Sequence, residues 1–548
     1  MSEARDVPKI PVELQARILS FAVASAQEDE HLLSRPRQRG FNTLLGPFEV
    51  PTSEDPPAVQ ERLRSPTLFP FNAAYVCKMW RDMLSHFPEC WKRVVFDLAR
   101  DPSPILDAFT WSEPIGFHQL HVLVFNSSDA EHMGVALERN RVESIRKAFE
   151  SHVHRCASIA FDIIYSSALP PPAMFFVRSA RALTDLTLQC RVDDLDPTTL
   201  EEPPQIIPLE KSVGMNQLVK LSLTAAGFIS LMTGLDSHGF PYTEDNVKIH
   251  VTRFAFPRKG PYSLEKFAHC LARAPSGSSG LYFCDLSLGY DYSPTDAQLV
   301  EGRLTIDGSC DFTRVSEGLL HQLFTLADLC SDTQDLRFED CTLPDNLPTH
   351  DRFDLELRKY DEDSTGRSEF RDRAAKAFKT WPGQSINFVN CPAFNNDFLR
   401  WWAVEHDVAE SEGGPESTTV KTLLLSGVND VYIHDCDKFS PAVLRNSLAS
   451  RWEIAKRQSS AGGTKELEVP ALQSDSEDNT KRIKMIDDLI VVGNVPALTE
   501  EDQEWFKQNA SQLRVTWNVG EGDYADFEIG RPPPMYYNPY KPWDSDSD

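Results

Sequence analysis

Ile386-Asn387-Phe388-Val389-Asn390-Cys391 and Val431-Tyr432-Ile433-His434-Asp435-Cys436 are two copies of one pattern: two apolar residues in alternation, then a cysteine three positions on. Alternation of period two predicts a strand with one buried face. A small, weakly polar thiol suits the buried turn that follows such a strand. Leu336-Arg337-Phe338-Glu339-Asp340-Cys341 is a third copy. After Cys391 the chain runs through Phe394 and Phe398 to Trp401, and after Cys436 through Phe439 and Val443 to Leu448; each reads as a turn leading into an amphipathic helix. The expected fold class is therefore α/β, with parallel strands and helices in alternation.

Working outward, Leu120 to Phe125, Leu183 to Leu188, Leu218 to Leu223 and Leu286 to Leu288 repeat the strand pattern, and two of these runs fit L-x-x-L-x-L. With the cysteine copies they resemble leucine-rich repeats, whose signature is L-x-L-x-x-N/C. The resemblance implies an irregular solenoid in which the alternating residues face the core. Cys341 to Cys391 spans 50 positions and Cys391 to Cys436 spans 45, about twice the usual 20 to 29. Insertions are expected at the charged segment Asp351 to Arg373 and at Glu410 to Ser417. An unrelated α/β domain with crossover helices fits the same pattern.

Near the N-terminus stand two apolar clusters. Ile10-Pro11-Val12-Glu13-Leu14 through Ile18-Leu19-Ser20-Phe21 places Leu14, Ile18 and Phe21 at helical spacing, with Pro11 able to open the helix. Val76, Trp80 and Leu84 predict a second helix with Lys78 and Arg81 on its other side, ended by Pro88 and followed by Trp91. The order resembles an F-box, and many F-box proteins carry cysteine-containing leucine-rich repeats. Ile10 stands where the family usually has Leu. About 50 residues, Val23 to Asn72, separate halves that the family normally joins by far fewer. In this the chain is similar to the split F-boxes of fungal F-box proteins. Prolines at 47, 51, 56, 57, 66 and 70 make the insert a surface excursion, which loop-closure entropy tolerates. The resemblance implies a three-helix module docking on the Skp-type adaptor of a cullin-RING ubiquitin ligase. Pro11, Leu14, Ile18, Leu19, Val76 and Trp80 would face the adaptor or support those that do, and Trp91 would anchor the third segment. Two ordinary amphipathic core helices would give the same periodicity.

The expected organisation is an F-box over residues 1–98 with its insertion at about 23–72, then a repeat region over 99–458 that binds substrate. A polar linker at 459–480, a closing segment at 481–530 with strands at Leu489 to Val492 and Leu513 to Trp517 around a helix at Glu501 to Gln508, and a Pro-rich acidic tail at 531–548 follow. Of the 548 residues, 55 are basic and 82 acidic, a net charge of -27. The first hundred residues balance, so the whole excess lies beyond Arg100 and makes nucleic-acid binding unfavourable. Eleven cysteines without C-x-x-C pairs argue against a disulfide framework or zinc ribbon. With no secretory leader and no membrane-length apolar run, the expected location is cytoplasmic or nuclear, with no membrane partner.

No P-loop, H-E-x-x-H or G-x-S-x-G motif occurs, so neither a catalytic residue nor a cofactor is expected. Asp361 to Asp372 distantly resembles a calcium loop but reads better as a solvated acidic loop. His152-Val153-His154-Arg155-Cys156 would put alternate residues on one side if it were a strand; a structural role is the expectation and no metal site is assigned. Serines in the acidic runs Ser474 to Asp478 and Ser545 to Ser547 are potential phosphorylation positions. The leading expectation is a non-catalytic substrate-recognition subunit of an SCF-type ubiquitin ligase. Its partners would be the Skp-type adaptor, cullin through that adaptor, and a protein substrate read by positions flanking Phe338, Phe388 and Ile433. The rivals are a ligase-independent repeat scaffold and an enzyme on an α/β frame.

Overall fold

The computed structural model describes residues 11–22 in part, 71–87, 91–112, 120–176 without 131, 182–195, 218–235, 247–274, 280–292, 304–330, 335–348, 354–359, 377–378, 381–409, 419–461, 484–520 and 527–529. The fold is α/β with a mostly parallel main sheet. The described residues fall into two compact units, one ending at Phe254 and one beginning at Ala255.

In the first unit, residues 13–15, 17–19 and 21–22 are helical, followed by α1 (Phe71–Val76), α2 (Lys78–Leu84) and the short α3 (Ala108–Trp111). Strands β1 (Arg93–Asp97), β2 (Leu120–Phe125), β3 (Cys156–Tyr165), β4 (Asp185–Val192), β5 (Lys220–Thr224) and β6 (Lys248–Phe256) lie side by side in sequence order, each pair parallel. Helices α4 (Val135–Phe149) and α5 (Ala225–Gly234) intervene between strands. In-register pairing lines equivalent residues into columns: Val94, Val122, Ile159, Leu186, Leu221 and Ile249 form one, and Phe96, Val124, Phe161, Leu188, Leu223 and Val251 the next. Every member of both is buried. Each strand thus adds two apolar side chains to a continuous core, which short alternating strands cannot build alone.

The second unit repeats this with β7 (Gly280–Leu288), β9 (Cys310–Thr313), β11 (Asp335–Glu339), β12 (Asp354–Arg358), β13 (Ser385–Val389), β16 (Asp430–His434), β17 (Asp488–Gly493) and β18 (Arg514–Val519), all parallel, and β19 (Phe527–Ile529) antiparallel at the end. β8 (Leu304–Asp307) pairs with β10 (Ala327–Cys330), and β14 (Glu405–Ala409) with β15 (Thr419–Leu423). The helices are α6 (Leu264–Leu271), α7 (Glu317–Leu326), α8 (Asn396–Trp402), α9 (Pro441–Ala461) and α10 (Glu500–Gln508). They cover the apolar columns: Phe267 of α6 meets Phe283 at 6.1 Å, and Phe324 of α7 meets Phe312 at 5.7 Å. Within the column, Phe312 stacks on Phe283 at 5.0 Å and on Phe338 at 5.4 Å.

Turns after these strands share a device. Arg314, Asp340, Lys359, Asn390 and Asp435 all have φ between 48° and 54°, a left-handed conformation that Asn and Asp tolerate best. Each donates its backbone N–H to a carbonyl at the end of the next strand along: Glu339, Arg358, Val389, His434 and Val492. After three of these residues, Asp340, Asn390 and Asp435, comes a cysteine that is buried and whose thiol binds backward. Cys341 donates to the Phe312 carbonyl at 3.3 Å and accepts from Val315 N–H; Cys391 donates to Leu357 at 3.0 Å, and Cys436 to Phe388 at 3.6 Å. Burial pushes the Cys341 thiol up to about 12, so it stays protonated and able to donate.

Four expectations need correction. Val76 to Leu84 is not one helix: Cys77, extended at φ −163° and ψ 163°, breaks it into α1 and α2, as the weak helix preference of valine and cysteine permits. The supposed insertion Asp351 to Arg373 contains strand β12, whose Leu355 and Leu357 continue the two columns; the charged residues of that strand lie on its other face. His152 and His154 lie in a 3-10 turn, Glu150–Arg155, ahead of the strand, so they do not alternate on one face. The linker expected from Ser459 starts later, because α9 continues to Ala461. The insertion between Cys391 and Cys436 does contain an extra element, the β14–β15 hairpin. The fully buried Arg451 guanidinium holds it, donating to the carbonyls of Trp402, Leu424 and Leu425 and lying 4.4 Å over the Trp402 ring. The predicted closing strands and helix are β17, β18 and α10, the helix opened by a reciprocal Thr499–Asp502 capping box.

Candidate functional site

The N-terminal helical residues and α1–α2, separated by the insert, come together in the first unit. Trp80 Nε1 donates to Gln15 Oε1 at 2.7 Å across 65 positions of sequence. The Pro11 carbonyl accepts from the N–H groups of Leu14 and Gln15 and so starts the first turn. Leu19 points inward at 1 % exposure, as do Ala73, Ala74 and Leu84. Trp91 is fully buried, donates Nε1–H to the Leu84 carbonyl at 3.0 Å and packs edge-on against Trp111 at 4.7 Å. Arg81 reaches the Pro104 carbonyl at 3.2 Å, fastening α2 to the turn before α3.

What these contacts leave outside is apolar. Leu14 is 50 % exposed, Ile18 47 %, Phe21 80 % and Val76 63 %, with Pro11 exposed and Trp80 half-buried. A shallow groove on α2 is lined by Lys78, Met79, Asp82, Met83 and His86. Scattered exposed hydrophobes are ordinary, but these four sit on two short helices that bury Leu19, Ala73 and Ala74, and methionine suits an adaptable contact surface. Of the seven residues expected to serve adaptor binding, Leu14, Ile18 and Val76 are outward-facing; Leu19 and Trp91 are internal supports. Gln15, Met79 and Met83 escaped the sequence reading because nothing in helical periodicity distinguishes a polar clasp or a groove lining.

A second surface is the sheet face turned away from the helices. In the second unit, register aligns Asp335, Asp354, Ser385, Asp430 and Asp488 as the first row, ending at Arg514. Strand neighbours stand roughly 4.8 Å apart, so carboxylates crowd. Burial and the neighbouring Asp335 raise the Asp354 carboxyl to about 6; burial and Asp488 raise Asp430 to about 6. The next row carries Asp311, Arg337, Glu356, Asn387 and Tyr432. Arg337 bridges Asp311 at 3.2 Å and Glu356 at 2.8 Å, and Arg358 pairs with Glu356. The positions flanking Phe338, Phe388 and Ile433 thus share one face.

In the first unit the corresponding row is Arg93, His121, Ser158, Asp185, Lys220 and Lys248. Burial, then Arg93 and Lys92, lower the His121 imidazole to about 4; burial, then Lys220 and Lys248, lower His250 to about 3. Both rings are neutral at physiological pH. Among the described residues no cluster of His, Cys, Asp and Glu is placed to hold a metal ion, and no helix is long and apolar enough to cross a membrane. The acidic loop Asp361 to Asp372 and the serine-containing acidic runs lie outside the described residues. No family model and no curated protein matches the chain.

Proposed function

We propose that this protein is the substrate-recognition subunit of an SCF-type ubiquitin ligase, with a split F-box near its N-terminus and a leucine-rich-repeat-like body. The observation that carries the reading is the paired exposure of Leu14, Ile18, Phe21 and Val76 on helices clasped by Trp80 and Gln15. Removing such side chains from water on a Skp-type adaptor would be favourable at about 25 cal/mol per Å², whereas left exposed they are a liability. The parallel strands, with two apolar columns and a cysteine-closed turn, support a repeat body that offers its helix-free face to a protein target. No bond chemistry is assigned to the chain. It would act by proximity, raising the effective concentration of a target lysine near activated ubiquitin on the cullin arm.

The test is binding of a purified Skp-type adaptor to the intact chain and to the Leu14→Ala, Ile18→Ala, Val76→Ala variant. All three positions are outward-facing, so the variant is expected to keep its circular dichroism and melting temperature while losing adaptor binding at least tenfold, the scale of 1.4 kcal/mol. Absence of adaptor binding by the folded intact chain would overturn the proposal.

A further inference from the structure

Three elements of the second unit meet around one imidazole. Tyr292, just past the end of β7, donates its phenolic hydrogen to Nδ1 of His321 on α7 at 2.5 Å, and His321 Nε2 donates to Oδ1 of Asp345, in the loop after β11, at 3.1 Å. The carboxylate has no hydrogen to give, so in the neutral ring Nε2 carries the proton and Nδ1 is the acceptor. The seat is fixed from both sides. The His321 carbonyl accepts from Thr325 Oγ1 at 2.8 Å and from Asn346 Nδ2 at 2.9 Å, which ties the Asp345 loop to α7. Tyr292 lies against Gly318, one turn earlier on the same face of the helix, where an added Cβ would stand 3.2 Å from the tyrosine Cβ. The His321 side chain is 15 % exposed and that of Asp345 37 %, with Tyr292 half-buried, so a small reagent can reach the cluster.

Carboxylate, imidazole and hydroxyl in this order are the parts of an activated nucleophile: the ring takes the proton as the oxygen attacks, and the carboxylate steadies the imidazolium that forms. Tyr290 supplies the contrast. It belongs to the same segment but donates to Gln322 Oε1 at 2.6 Å, an amide oxygen that does not act as a base. We propose that Tyr292 is an acyl-accepting nucleophile for activated esters, with His321 as its general base and Asp345 as the positioning residue. Tyr292 Oη attacks the acyl carbon while its proton passes to His321 Nδ1. The bond from that carbon to the leaving oxygen breaks, and the leaving group departs with the electron pair. The product is an acyl ester on Tyr292, and the imidazolium returns its proton to solvent.

This goes beyond adaptor binding and is tested separately from it. The full-length chain is treated with p-nitrophenyl acetate, and acetylation of each tyrosine is followed in time by peptide mass spectrometry. Tyr292 is expected to react roughly tenfold or more faster than Tyr290, the lower end of what general-base assistance gives. In the intact chain its rate should fall in heavy water, because a proton moves in the step. His321→Gln should remove the advantage and Asp345→Asn should reduce it, with Tyr290 keeping its former rate in both. The sign separates chemistry from shielding. Were the hydrogen bond only a clasp, loss of His321 would bare Tyr292 and speed its acetylation. Tyr292 no faster than Tyr290 in the intact chain, a rate indifferent to heavy water, or acetylation as fast or faster in His321→Gln would each overturn the proposal.

Discussion

In the first unit one register row of the helix-free face carries Arg93, His121, Ser158, Asp185, Lys220 and Lys248, whereas the second unit puts Asp335, Asp354, Ser385, Asp430 and Asp488 in the corresponding row. Beneath these rows the two units are alike, with two buried apolar columns and parallel pairing along β1 to β6 and from β7 to β18 of the main sheet. The difference teaches that the columns carry the fold while the outer rows are free to carry charge of either sign. It also separates how strand ends are secured. The second unit uses left-handed turn residues and cysteine thiols. The first buries Glu138, which accepts from Asn126 Nδ2 at 2.7 Å and from the N–H groups of Ile164 and Tyr165 at 2.9 Å.

If the columns carry the fold, the largest effect belongs to a column residue. Phe312 is fully buried between Phe283 and Phe338 and touches Phe324 of α7. Phe312→Ala removes one ring from a continuous stack and is expected to cost about 3–5 kcal/mol, read as a lower denaturation midpoint. Hydrogen exchange should show the loss in β9 and β11, with strands β1 to β4 protected as before. A loss spread equally through both units would break the comparison by making them one cooperative block. Next in size is Glu138→Gln. The amide keeps the shape but turns one acceptor into a donor facing an N–H group, leaving a buried pair unmade at about 1–3 kcal/mol. The effect should fall on β3 and spare the second unit.

The cysteine units were legible because strand, turn and helix signals are local. Leu336 to Cys341, Ile386 to Cys391 and Val431 to Cys436 each declare a strand within six residues, and all three are strands followed by buried thiols. Strand β12 was hidden because its three outward positions, Asp354, Glu356 and Arg358, outnumber its two apolar ones, so its composition reads as a charged loop. The acidic row could not be read at all. Asp335, Asp354, Asp430 and Asp488 are scattered over 153 positions and become neighbours only through register, which no single strand specifies. Trp80 and Gln15 are a similar case, since a 65-residue separation leaves no periodic trace of their hydrogen bond. Apolar periodicity placed Leu14, Ile18 and Val76 on helices, but which of them faces outward depends on what each helix packs against.

The smallest effect is the one that separates the units by sign. The Asp354 and Asp430 carboxyls sit near 6, above their unfolded value, so the folded second unit holds protons the unfolded chain releases. Their contribution to stability is complete below about pH 4 and is lost as pH rises through 6. His121 sits near 4, below its unfolded value, so the first unit gains from a neutral ring above about pH 6.5 and loses that gain as pH falls through 4. Between pH 6.5 and 4, acidification should therefore strengthen the acidic row and weaken the cationic one. Asp430→Asn removes one charge from the Asp430–Asp488 pair and should stabilise the second unit at pH 7.5, with solvent screening holding the gain to about 1 kcal/mol, while flattening its pH profile. Hydrogen exchange at both pH values, followed separately in β3–β5 and β13–β17, reads the two slopes. Slopes of the same sign would mean that titration elsewhere governs both units and that the contrast between their rows has no energetic weight.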